Sequence, residues 1–117
     1  MHYRKTVLWH RAMEVAQGVY GLVQRLPREE AFGVRSQITR ASVSVACNVA
    51  EGWTRESRKE KAQFLAIAQG SAAELETLIT LCERLGWFPE SATQEVRSRL
   101  DEVSRMLTSL RRATRKA

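Results

Sequence analysis

The sequence predicts an all-α fold, an antiparallel up-down four-helix bundle forming a single domain over residues 1–117. Three observations predict it. Apolar residues recur at steps of three and four along four separate stretches, the spacing that lines one face of a 3.6-residue helix. Glycine or proline punctuates the gaps between stretches, yet the chain holds only two prolines and six glycines in 117 residues. No stretch alternates apolar and polar residues, and aromatics make up only 7% of the chain, both against a sheet. A chain of this length is one ordinary domain and buries one core without disulfide or metal staples.

The first helix is read from about Val7 to Arg25, with Thr6 as its N-cap. Its stripe is Leu8, Ala12, Val15, Val19, Leu22, Val23 and Leu26, and Pro27 disfavours helix at the residue before it. The second is read from about Val34 to Glu51, with the stripe Val34, Ile38, Ala41, Val45 and Val49 and with Gly52 as a left-handed cap. The third, from about Arg58 to Leu85, opens on a Ser57/Glu60 capping box. Phe64, Ala68, Ser71, Leu75, Leu78, Cys82 and Leu85 form its stripe, widened by Ala72 and Ile79, and Gly86 ends it. The fourth spans about residues 92–112, opens on a second box of Ser91 with Gln94, and presents Val96, Leu100, Val103, Leu107 and Leu110 at 4-3-4-3 spacing. Short connections set sequential helices side by side and antiparallel.

Two helices carry more than a core stripe. On helix one, Trp9, Met13, Ala16 and Tyr20 widen the apolar face to about half the circumference, beyond the ~100° that a small bundle needs. The chain's own ends or another subunit must cover the surplus, and another subunit is favoured, so Trp9, Met13 and Tyr20 are oligomer-interface candidates. On helix two, Gln37, Arg40, Ser44, Asn48 and Glu51 share one face, a polar seam read as a packed helix interface in preference to a solvated face. Gln63, Gly70, Glu74 and Thr77 on helix three are its partner set, with a close helix approach expected at Gly70 and pairing of Arg40 with Glu74 or Glu76.

The net charge is +6, from 19 basic and 13 acidic residues, compatible with a polyanionic partner. The basic residues concentrate at Arg55, Arg58, Lys59 and Lys61, and again at Arg97, Arg105, Arg112, Arg115 and Lys116, largely on the outer face of helix four, where a merely solvated face is the alternative reading. These nine are the candidates for phosphate contact. No aromatic stacking platform accompanies them in sequence, so base readout is not expected.

Enzyme chemistry finds no support. His2 and His10 are the two histidines, and neither follows a glutamate at the Glu-x-x-His spacing of a di-metal bundle. His10 with Glu14 reads as a surface i,i+4 pair. No nucleotide-binding glycine motif occurs, and no serine or cysteine has a credible triad. Cys47 and Cys82 belong to no CxxC pair and are expected to be reduced core or near-core residues. No catalytic residue, metal site or cofactor is therefore expected. The chain has no apolar run of ~20 residues and no apolar signal core in MHYRKTVLWH. A cytoplasmic location away from membranes is expected.

The stretch RSQITRASVSVACNVAEG from Arg35 to Gly52 resembles the signature of the bacterial 23S rRNA-intervening-sequence proteins. Ser57-Arg58-Lys59-Glu60 before Phe64-Leu65, GSAAELET from Gly70 to Thr77, Leu85-Gly86-Trp87, and the opening Leu8-Trp9 with Ala12 and Met13 fit the same pattern in order. The resemblance covers about Val7 to Arg112. It implies an antiparallel four-helix bundle, ring-like homo-oligomers with pentamers favoured, and a relation to the accessory bundle protein of diversity-generating retroelements, which engages nucleic acid. The family often has proline where this chain has Ala46, so a straighter second helix is expected here. Two functions follow as expectations. One is a homo-oligomer binding RNA or DNA through a basic surface without sequence specificity. The other is an oligomeric adaptor for a protein partner with no nucleic-acid role.

Overall fold

Each of the four apolar stripes folds as a helix. The computed structural model describes residues 2–116, with the side chain of Lys116 outside the described residues. The helices are α1 (Val7–Leu22), α2 (Val34–Thr54), α3 (Arg58–Arg84) and α4 (Glu90–Lys116). Short 3-10 turns at Tyr3–Lys5, Val23–Arg25 and Arg28–Glu30 lead into α1 and join it to α2.

The helix ends follow local chemistry, with three departures from expectation. Thr6 caps α1 by accepting the Trp9 N–H at 3.2 Å. Ser57 caps α3 by accepting the Glu60 N–H at 3.1 Å, but Glu60 returns its carboxylate to the Ser57 hydroxyl rather than to the backbone. Gly86, at φ +80°, takes the left-handed conformation that ends α3. Gly52, expected in that role for α2, instead lies buried inside the helix, which runs on to Thr54. A Cβ there would meet the Phe64 Cβ at 3.4 Å and the Lys61 carbonyl at 3.6 Å, so glycine serves close approach of α3. Lys61 supplies the helix end, its Nζ donating to the Gly52 and Trp53 carbonyls at 3.3 Å. The Ser91/Gln94 box is also absent. α4 starts earlier, at Glu90, directly after Pro89, whose carbonyl accepts the Ala92 N–H at 2.9 Å. α2 is one continuous helix through Ala46.

Cross-helix contacts run antiparallel between every neighbouring pair they join. Ser44 meets Ser71 while Gly52 meets Phe64; Arg11 meets Glu102 while Glu14 meets Arg99; Gln69 meets Thr108 while Glu83 meets Arg97. α1 packs on α2 and α4, and α3 packs on the same two, which closes a square bundle within 45 × 25 × 21 Å.

The stripes of α1 and α2 are buried in full, and that of α4 is buried to Leu107 with Leu110 half-covered. The third stripe needs correction. Leu65 is buried where Phe64 was expected, Ser71 is half-buried, and Leu85 is 51% exposed. A strict seven-residue repeat drifts by about 20° per heptad on a straight helix, so the ends of a long stripe turn off the core face.

One ionic cluster ties α3 to α4. Arg97 donates to both Glu83 carboxylate oxygens, at 2.5 and 3.2 Å, and to Thr80 Oγ1, while buried Thr93 donates to the same carboxylate at 2.5 Å. These hydrogen bonds, Arg97 first and Thr93 next, hold Glu83 below the ordinary carboxylate range. A depressed folded value contributes stability above the unfolded value and loses it as pH falls through the folded one. Glu83→Gln is therefore expected to melt below wild type at neutral pH. The gap should narrow as pH falls below the ordinary value of 4.5. Melting curves by circular dichroism check this; a constant gap down to strong acid would show that the carboxylate charge is immaterial.

Candidate functional site

Antiparallel packing brings three distant segments to one end of the bundle: the start of α1, the α2–α3 turn, and the end of α4. Arg4, Lys5, Arg55, Arg58, Lys59, Lys61, Arg111, Arg112 and Arg115 lie there, against the carboxylates Glu51, Glu56 and Glu60. This excess equals the net charge of +6 for the whole chain, so the rest of the bundle is close to neutral. The first group of candidates joins Arg112 and Arg115 of the second at one basic end, to which Arg111, Arg4 and Lys5 add. Only the three-dimensional closure of the bundle reveals that Arg4 and Lys5 belong there.

The nine phosphate candidates divide by what they already hold. Arg97 is not on an outer face; it bridges α3 and α4 through Glu83 at the opposite end. Arg105 pairs with Asp101 one turn earlier on the same helix. Arg55 pairs with Glu51 at 2.6 Å, and its guanidinium sits 4.7 Å above the Phe64 ring. Lys61 holds the α2 carbonyls. Arg58, Lys59, Arg112 and Arg115 are exposed and form no ion pair among the described residues. The Lys116 side chain lies outside the described residues.

Aromatic residues accompany the basic end after all. Trp53, half-buried in the last turn of α2, adjoins a notch of about 240 Å³ lined also by Gly52, Lys61, Leu65, Leu110 and Thr114. Tyr3 and Trp9 meet at a ring separation of 5.4 Å at the start of α1. Tyr3 and Trp9 are remote in sequence from the basic runs, whereas Trp53 lies two residues before Arg55.

A second feature runs along α2. An open groove of about 730 Å³ is lined by Tyr20, Gln37, Arg40, Val43, Ser44 and Glu74, among others. Ser44 and Ser71 hydrogen-bond at 2.8 Å across the α2–α3 seam, and Asn48 Nδ2 donates back to the Ser44 carbonyl and hydroxyl. Arg40 and Glu74 share the groove without forming an ion pair; Arg40 reaches Ser36 at 3.5 Å instead. Glu76 leaves the seam and lies in a separate depression with Thr80 and Arg84, and Glu51 is held by Arg55. Gly70 makes no close approach among the described residues: a Cβ there would have open space. It belongs instead to an exposed row of α3, Ile67, Gly70, Glu74, Thr77 and Leu81, at 3-4-3-4 spacing.

The interface candidates of helix one also separate. Trp9 is half-buried against the core and Tyr3, whereas Met13 and Tyr20 are exposed, Tyr20 to 52%. His10 does not engage Glu14 by hydrogen bond; its Nε2 donates to the Arg4 carbonyl at 2.6 Å, and Glu14 pairs with Arg11 and Arg99. Cys82 is buried, its thiol pushed up to about 11 by burial and then by the Glu30 carboxylate, so it is a poor nucleophile. Cys47 is exposed rather than near the core. Among the described residues no group of three or more His, Cys, Asp or Glu is placed to hold a metal ion, and no helix is long and apolar enough to cross a membrane.

Fold and surface together define an all-α four-helix bundle protein with one basic end and an uncovered helical face. The chain belongs to the 23S rRNA-intervening sequence protein family, which it matches over residues 4–109. Its structure is similar to that of a protein of unknown function from the S23 ribosomal protein family of Bacteroides thetaiotaomicron. The TM-score is 0.82 at 25% identity, covering 89% of this chain and 97% of that one. No curated protein matches.

Proposed function

We propose that this chain is a non-enzymatic homo-oligomeric bundle protein that binds RNA or DNA through its basic end, without sequence specificity. The observation that carries the reading is the collection of the chain's net charge at one end, with Arg58, Lys59, Arg112 and Arg115 in no ion pair among the described residues. Cations gathered on one surface displace the condensed counterions of a polyanion, the main sequence-independent source of nucleic-acid affinity. Phosphate contacts of this kind position a protein and carry no base information.

Self-association supports the same reading. The exposed row Ile67–Leu81 on α3, with Gly70 open to a second backbone, has the spacing of a helix interface. Tyr20 and Val43 add exposed apolar surface beside the α2 groove. A closed ring, five copies being the number the family resemblance implies, would set several basic ends side by side and multiply weak contacts.

Gel-shift titration against structured RNA and duplex DNA tests the binding. Affinity for both should fall steeply between about 50 and 200 mM salt; no shift at low salt would sink it. Light scattering tests the assembly. The mass should be a multiple of 13.3 kDa and fall to that value in Tyr20→Glu. A wild-type monomer would remove the oligomer from the proposal. A second reading, an adaptor for a protein partner with no nucleic-acid role, is favoured by Phe32, 99% exposed at the opposite end. Pull-downs with nuclease-treated and mock arms separate them, because a protein partner survives nuclease.

A further inference from the structure

The geometry points to an unpaired strand, rather than a duplex, as the nucleic acid held at the basic end, with one base seated in the notch beside Trp53. This rests on the nucleic-acid reading above and adds what kind of strand is bound. Its basis is a juxtaposition that phosphate binding alone does not require. In the middle of the most basic surface lies a notch whose walls are mainly apolar: Gly52, Trp53, Leu65 and Leu110, with Thr114 and Lys61 completing it. Two of the three helices that form the notch carry the cations that hold no ion pair among the described residues. Arg58 and Lys59 precede Leu65 on α3, and Arg112 and Arg115 flank Thr114 on α4.

An apolar depression ringed by cations suits a ligand with a flat, weakly polar body and an anionic backbone. A nucleotide in a single strand has that composition, since its base is free to leave the stack and present a π-face to an aromatic side chain. A duplex keeps its bases paired inside and offers only phosphates and groove edges. The Lys61 Nζ is engaged by the Gly52 and Trp53 carbonyls, which keeps that ammonium fixed at the notch wall instead of occupying the space. The Tyr3–Trp9 pair at the same end offers a further ring surface for a neighbouring base.

Charge alone predicts the opposite preference. A duplex carries the denser phosphate charge, and its counterion release per contact is larger, with a salt slope of about 0.9 per phosphate against about 0.7 for a single strand. A preference for single strands therefore reports the bases.

The test is fluorescence anisotropy at one salt concentration with labelled, unstructured RNA and DNA strands of roughly 12 nucleotides. Alongside them run a duplex of the same length and an otherwise equal strand made wholly of abasic sites. Full-length protein should bind both single strands about tenfold tighter than the duplex or the abasic strand. Thr114→Phe, which fills the notch from the half-exposed face of α4, should remove that advantage and leave duplex binding unchanged. Equal or tighter binding of the duplex, or abasic binding equal to that of the normal strand, overturns the inference while the basic-end reading stands. Loss of duplex and single-strand binding to the same extent in a folded Thr114→Phe also overturns it. No binding of any probe at low salt overturns both. The abasic comparison uses unaltered protein, so it decides the question even if the variant does not fold.

Discussion

Replacing Arg58, Lys59, Arg112 and Arg115 together by glutamine is expected to cost on the order of 100-fold in affinity for RNA and DNA at low salt, with folding intact. All four side chains are exposed and form no ion pair among the described residues, so their removal leaves no buried carboxylate unpaired. Surface changes of this kind stay within about 0.5 kcal/mol of wild-type stability. Each phosphate contact contributes about 0.7 to 0.9 to the slope of log affinity against log salt, so the slope should fall by about 3. Gel-shift titrations over a salt series measure both quantities. Glutamine at Arg25, Arg28 and Arg84 is the control, since these exposed cations lie at the opposite end. If the control weakens binding as much as the basic-end variant does, net charge and not the basic end is responsible. Arg97→Gln should behave differently again, lowering the melting temperature with little change in affinity, because its guanidinium already satisfies Glu83 and Thr80.

Leu75→Ala is expected to give the largest loss of stability among single truncations of the third stripe, about 2 to 5 kcal/mol. Leu75 is fully buried midway along α3, the helix that packs on both α2 and α4. Removing its isobutyl group loses apolar burial and leaves a cavity that three helices cannot easily collapse. For a domain of this size the melting temperature should fall on the order of 10 °C. Leu85→Ala, at a position of the same sequence stripe, should lie within about 0.5 kcal/mol of wild type because that side chain is half-exposed. Denaturant titration of the pair provides the comparison. An equal loss at Leu85 would mean that this surface is covered in solution by another subunit.

The contrast between those two leucines marks where sequence reasoning stops. The stripes of α1 and α2 were legible residue by residue, because over 16 and 21 residues a step of three or four stays on one face. Over the 27 residues of α3 the same rule drifts, and Leu65 replaces Phe64 while Leu85 leaves the core. Gly52 was misread as a cap for a related reason. Glycine after an apolar run ends a helix if nothing continues it, but here the approach of α3 covers the position and Lys61 serves the carbonyls beyond it. Arg97 was misplaced because an exposed-looking helix position gives no hint of Glu83 fourteen residues earlier on the neighbouring helix.

The sequence by itself determined the all-α class, the number and order of the helices, their antiparallel sense and most of the core, since helical periodicity, caps and short connections are local properties of the chain. Tertiary structure alone decided which charges act together. Arg4, Lys59 and Arg112 share one end only because antiparallel packing folds distant segments there, and among the described residues the cations that hold no ion pair are those to which packing brought no carboxylate. The notch beside Trp53 has the same origin, since its walls come from α2, α3 and α4 and exist in none of them singly.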